Sequence, residues 1–122
     1  LSHVLEHVFD PLQFIVEIRS NLKSSDLLYI AVPGLNMVKH GTYKYDLRRY
    51  FHLAHVTDFT KNTLENLLIT AGFKTLYIDE KIESVFKIDQ NQKKITLKKN
   101  KNAINDILDI VKRRNIFNSL FN

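Results

Sequence analysis

The residues best suited to chemistry are histidines, arginines and tyrosines gathered in two stretches. His3 and His7 flank Glu6 at the start of the chain. Residues 35–59 then collect His40, Tyr43, Tyr45, Asp46, Arg48, Arg49, Tyr50, His52 and His55. A neutral imidazole titrates close to physiological pH, so histidines are the candidate general bases, His55 with His52 nearby among them. A guanidinium presents paired donors to a phosphate or carboxylate. Tyr43, Tyr45, Arg48, Arg49 and His52 are therefore the candidate substrate contacts, with an anionic group on the substrate. Each has a plainer reading too: Glu6 and His7 as turn hydrogen-bonding groups, His55 as a packed loop anchor, and the arginines as surface charge.

Elements that would position these residues can be read from caps and periodicity. Asp10-Pro11 starts a helix, with Phe14, Ile15, Ile18 and Leu22 on one face. Lys23 to Asp26 forms a polar turn, and Leu27 to Val32 follows as a strand without alternation, a pattern suited to burial on both faces. Pro33-Gly34 stops that strand. Residues 35–59 have no period, which predicts a binding loop or lid directly after a strand. Thr60, or Asn62 with Glu65, caps a helix carrying Leu64, Leu67, Leu68 and Ala71, with Gly72 as its stop. Phe73 to Ile78 is a further strand, and 82–88 with 94–98 predict a hairpin. Asn102 caps a last helix whose Ile104, Ile107, Leu108 and Val111 repeat at helical spacing.

Composition narrows the class. With 122 residues the chain is one domain or less, and with no cysteine it has neither disulfides nor thiolate metal ligands, which fits a reducing cytoplasm. No apolar run approaches the roughly 18 residues that span a bilayer, and nothing at the start reads as a signal peptide. Opening on Leu1 inside an apolar pattern predicts a fragment or a processed product. The net charge of +5 comes largely from Lys93-Lys94, Lys98-Lys99, Lys101 and Lys112-Arg113-Arg114. No aromatics interleave these lysines as single-strand binding requires, so they read as a solvated strand edge and a basic last helical turn rather than a nucleic-acid interface.

Three spaced stretches resemble the class I S-adenosylmethionine-dependent methyltransferases. Ser2-His3-Val4-Leu5-Glu6-His7-Val8-Phe9-Asp10-Pro11 is similar to the segment following that family's fourth strand. Leu22 to Pro33 is similar to the segment around its fifth strand, with Ser24-Ser25-Asp26 replacing the usual proline and glycines. His52 to Thr60, Thr63-Leu64, Leu67-Leu68 and Ala71-Gly72-Phe73 resemble its later histidine, Phe-Thr and Gly-Phe segment. The likeness covers residues 2–73. It implies an α/β fold: a partial Rossmann-like sheet, mixed, holding strands four to seven with flanking helices. Residues 1–80 would be the C-terminal half of the methyltransferase domain, with 35–59 as substrate lid. Residues 81–122 would complete the sheet edge, one strand of their hairpin being the antiparallel seventh.

The resemblance also implies roles. Ser2, His3, Val4 and Glu6 would flank S-adenosylmethionine, while His7 and His55 would serve an acceptor O or N atom on a small molecule. The family's glycine-rich loop is missing, since Gly34, Gly41 and Gly72 form no G-x-G. This predicts a chain inactive by itself. His3-Val4-Leu5-Glu6-His7 also spells the inverted zinc-protease signature H-x-x-E-H, which needs both histidines on one helix face. Asp10-Pro11 opens a new helix just after it, so no metal ligand is assigned. The alternative function is a basic interaction module gripping a protein or polyanion. Ile116, Phe117, Leu120 and Phe121, or an open sheet edge, would support self-association.

Overall fold

The computed structural model describes residues 1–51, 54–91 and 103–121. His52, the second hairpin strand over 94–98, the Asn102 cap and the lysines from Lys93 to Lys101 lie outside the described residues.

Helix α1 (Pro11–Asn21) starts as expected, with Asp10 Oδ1 accepting from Gln13 N at 2.9 Å. Its Ile15 is fully buried, and Phe14, Ile18 and Leu22 pack beside it. The Lys23–Asp26 turn closes on itself: Asp26 N donates to Lys23 O at 3.0 Å and Lys23 N to Asp26 Oδ2 at 2.8 Å. Strand β1 (Leu27–Ala31) follows, then α2 (Leu35–Lys39), a 3-10 turn at Thr42–Tyr45 and α3 (Leu47–Tyr50). The expected lid is thus built of short helical turns rather than irregular loop. Their periodicity escapes sequence inspection because each lasts about one turn. Helix α4 (Lys61–Thr70) is capped by Thr60, not by Asn62 and Glu65. Thr63 N donates to Thr60 Oγ1 at 3.3 Å and Thr60 N to Thr63 Oγ1 at 2.8 Å, so threonine fills both halves of the capping box. Gly72, at φ +90, ends the helix as expected, in a conformation that costs other residues about 1–2 kcal/mol.

Strands β2 (Phe73–Ile78) and β3 (Glu83–Ile88) complete a three-stranded sheet in the order β1-β3-β2. Strand β3 lies antiparallel to both neighbours, with Phe86 opposite Leu28 on one side and Thr75 on the other. Beyond β1, Ser2 bridges Ala31 in parallel: His3 N donates to Ala31 O and Ala31 N to Leu1 O, each at 2.9 Å. The protein is therefore α/β, a small antiparallel sheet with flanking helices.

One face of the sheet carries the main core: Leu28, Ile30, Phe73 and Phe86 pack with Ile15 of α1 and Leu64 and Leu68 of α4. The opposite face leaves Leu27 60% and Tyr29 46% exposed. Strand β1 alternates, contrary to the expected two-sided burial, because the described helices cover only one side of it. A second cluster joins Leu35, Val38 and Tyr50 to Ile110 of α5 (Ala103–Phe121). This helix extends past Arg114, so Lys112-Arg113-Arg114 sits mid-helix and not in a last turn. Its expected stripe is also rotated: Ile110 is fully buried and Ile107 partly, whereas Ile104, Leu108 and Val111 are exposed.

Gly34 packs where no side chain fits. A Cβ there would sit 2.5 Å from Cδ1 and 2.7 Å from Cγ1 of Ile82. Ile82 is itself buried at φ +63, held by Ile82 N to Asp79 O at 3.2 Å and Val32 N to Ile82 O at 3.3 Å. Neither partner can retreat, so Gly34→Ala is expected to cost about 1–3 kcal/mol, the usual range for overpacking. A thermal midpoint unchanged from wild type would show that the Ile82 turn yields.

Candidate functional site

The parallel segment at residues 1–3 runs into a 3-10 turn over Leu5–His7. Leu5 anchors the turn in the core, which drags its neighbour Glu6 inside at 1% exposure. The returning loop is tied to that turn. Val56 N and Thr57 N both donate to Glu6 O, at 2.9 and 3.2 Å, and His7 Nδ1 meets Ala54 O at 2.6 Å. A carbonyl only accepts, so Nδ1 carries the hydrogen and Nε2 is the ring nitrogen left to face Glu6.

These links bring the His7 and His55 rings to 5.1 Å between centroids. Glu6 Oε1 lies 3.8 Å from His7 Nε2 and 3.4 Å from His3 Nδ1. Among the described residues neither Glu6 oxygen accepts a hydrogen bond. One potential ligand atom from each of Glu6, His7 and His55 falls within 4.8 Å of the others. Sequence reasoning chose His7 and His55 as separate candidates and gave Glu6 to the cofactor. It missed the trio because nothing local signals that residue 55 returns to residue 6.

Tyr50 closes the site from behind. Its ring stands 6.3 Å from that of His55, and its hydroxyl donates to Pro33 O at 3.1 Å. Burial raises the phenol's pKa well above its usual value, with the negative charges of Asp58, Tyr43 and Glu6 adding to the effect. Sequence inspection noted Tyr50 without assigning it a role.

The other expected residues divide. Ser2, His3 and Val4 are exposed beside the turn, His3 at φ +53. This left-handed backbone and the short 3-10 turn rule out the single helix that H-x-x-E-H zinc chemistry requires. Tyr43 stands 6.4 Å from Tyr50 between ring centroids and is, among the described residues, the substrate candidate connected to the histidines. Tyr45, Asp46, Arg48 and Arg114 line a different cavity of about 250 Å³ between α3 and α5. There Asp46 gathers cations: Arg48 Nε at 3.4 Å, Arg49 Nε at 4.0 Å and a close pair with Arg114. Arg48 and Arg49 are thus engaged by Asp46 on an exposed surface, a structural use of the charge that the sequence left open.

The Arg114 guanidinium, with help from the Arg48 backbone and side chain, lowers the Asp46 pKa from 3.8 to about 2. A depressed folded-state pKa stabilises the fold above the unfolded value and loses that contribution as pH falls through the folded one. Docking of α5 should therefore weaken between about pH 4 and pH 2, following the two values. Asp46→Asn should remove this component, so amide exchange in α5 of wild type and variant should converge at the acid end. A gap between them that persists at pH 2 would refute the linkage.

No protein-family model, no curated protein and no solved structure matches this chain. Among the described residues no helix is long and apolar enough to cross a membrane.

Proposed function

We propose that this chain is the acceptor-side half of an S-adenosylmethionine-dependent methyltransferase acting on an O or N atom of a small molecule. The observation that carries the reading is the strand arrangement. Residues 1–3 run parallel to β1, and β3 is reversed between β1 and β2. The family that the sequence resembles orders its fourth, fifth, seventh and sixth strands in this way, with the seventh antiparallel. In open α/β sheets ligands bind beyond the carboxyl ends of parallel strands. Here those ends lead to Leu5–His7 on one side and to Pro33–Gly34 and the helical lid on the other.

The residues fit only the methionine end of the cofactor. Ser2, His3 and Val4 are exposed at the strand end, but the glycines are committed elsewhere: Gly34 lies against Ile82, and Gly41 and Gly72 adopt positive φ at helix boundaries. When bound, the cofactor supplies an electrophilic methyl group. The chain's own part is to hold the acceptor in line and to receive its proton on an imidazole of His7 or His55. Tyr43 and the α2–α3 turns would cover the acceptor from the lid side.

The test is transfer of labelled methyl from S-adenosylmethionine by the full gene product, beside calorimetry of residues 1–122 with the cofactor. Transfer by the former and no heat from the latter is expected. Micromolar affinity in the 122-residue chain, or no transfer by the gene product, would overturn the reading. A second reading, a binding module for a protein or polyanion, draws on α5, where Ile104 is 73% and Leu120 72% exposed near the exposed Lys112 and Arg113. A salt-dependent shift of nucleic acid by the chain would favour it.

A further inference from the structure

We infer that Glu6, His7 and His55 together bind a divalent transition-metal ion of the zinc class. The inference does not rest on the methyl-transfer reading and competes with it for His7 and His55, since an imidazole whose lone pair holds a cation no longer receives a proton.

Three features carry it. The Glu6 carboxylate is 1% exposed, and neither of its oxygens accepts a hydrogen bond among the described residues. A carboxylate so placed is costly unless a cation meets it. His7 turns its Nε2 toward that carboxylate at 3.8 Å, because its Nδ1 hydrogen is held by Ala54 O at 2.6 Å. At 3.8 Å the two atoms are beyond hydrogen-bond reach of each other, and with His3 Nδ1 3.4 Å from the same Glu6 oxygen the gap has room for a positive centre. The backbone carbonyl behind His7 is also the outer partner that metal-bound histidines use to orient the ring.

Third, the trio is already nearly gathered. Its ligand atoms lie within 4.8 Å of one another, against about 3.3 Å between ligands 2.0–2.1 Å from a tetrahedral zinc ion. The remaining difference is on the scale of a side-chain torsion, while Val56 N and Thr57 N fix the backbone at Glu6 O. Two imidazoles and one carboxylate favour zinc, cobalt, nickel or copper over magnesium or calcium, which take oxygen ligands. Three protein ligands leave a fourth position to water or another oxygen donor. The exposed edge of His7 provides the route in.

The experiment is a titration of the metal-free 122-residue protein with Co²⁺, read by visible absorption, followed by displacement with Zn²⁺. Intense tetrahedral cobalt bands at one equivalent, bleached by zinc, are expected. Glu6→Gln, which keeps the side chain's shape, and His55→Ala should each weaken binding by about 100-fold or more, since even outer-shell changes cost 10–100-fold. His40→Ala, in an exposed residue outside the trio, should bind as wild type does. If His55→Ala fails to fold, ring-nitrogen NMR of wild type decides: zinc must shift the His7 and His55 resonances and spare His40. No cobalt spectrum, equal affinity in Glu6→Gln, or unmoved His7 and His55 resonances would overturn the site.

Discussion

Replacing Phe86 with alanine is expected to remove about 3–5 kcal/mol of folding stability, the range for truncating a buried aromatic. Phe86 is fully buried in the middle strand, so its ring meets the residues of both flanking strands. It also faces the helices α1 and α4 through the same cluster. No neighbour can collapse into the space without breaking the register of β3 on one side. Total stability for a domain of this size is about 5–15 kcal/mol, so the variant should lose roughly a fifth of it or more. Urea denaturation is the measurement. The companion variant is Leu27→Ala on the opposite face of β1, where the side chain is 60% exposed and the cost should stay within about 0.5 kcal/mol. Equal losses in the two variants would mean that both faces of the sheet are covered in solution.

Tyr50→Ala should cost about 3–5 kcal/mol as well, but locally. Tyr50 is the largest member of the second cluster, with Leu35, Val38 and Ile110, and it is 1% exposed. Its hydroxyl ties α3 to the end of β1 through Pro33 O, and its ring touches Phe51, Tyr43 and His55. Removing it leaves α2, α3 and α5 without a common centre and His55 without a wall. Amide exchange should accelerate across these helices while β1–β3 keep their protection. Tyr50→Phe isolates the hydrogen bond and should cost about 1–3 kcal/mol, because the Pro33 carbonyl is left unsatisfied. A uniform rise in exchange over the sheet and helices would show instead that the two clusters unfold as one.

These two residues mark different degrees of legibility. Phe86 stands in a stretch whose alternation already predicts a strand, and its burial follows from that pattern. Tyr50 lies in a segment with no period, where each helical turn is too short to announce itself. The same contrast holds for helices. Helix α1 declares its start through Asp10-Pro11 and its inner face through Phe14, Ile15 and Ile18. Helix α5 has a regular apolar stripe, yet the face it packs is turned to Ile107 and Ile110, where Asp106 and Arg114 can also reach Lys39 and Asp46.

By itself, the sequence determined what neighbours within about four residues decide: caps, turns, strand propensity and the stop at Gly72. It also carried the histidines, Glu6 and the three spaced stretches on which the methyltransferase reading rests. Only the tertiary structure decided which sheet face is covered, which side of α5 is buried, and that the Asp46 carboxylate holds Arg48, Arg49 and Arg114. It alone placed His55 against Glu6 and His7, through the His7 ring's hydrogen bond to Ala54 O, 47 residues away, and the backbone bonds of Val56 and Thr57 to Glu6 O. Such contacts form when loop closure brings distant segments together, and their geometry is set by packing that no local pattern encodes.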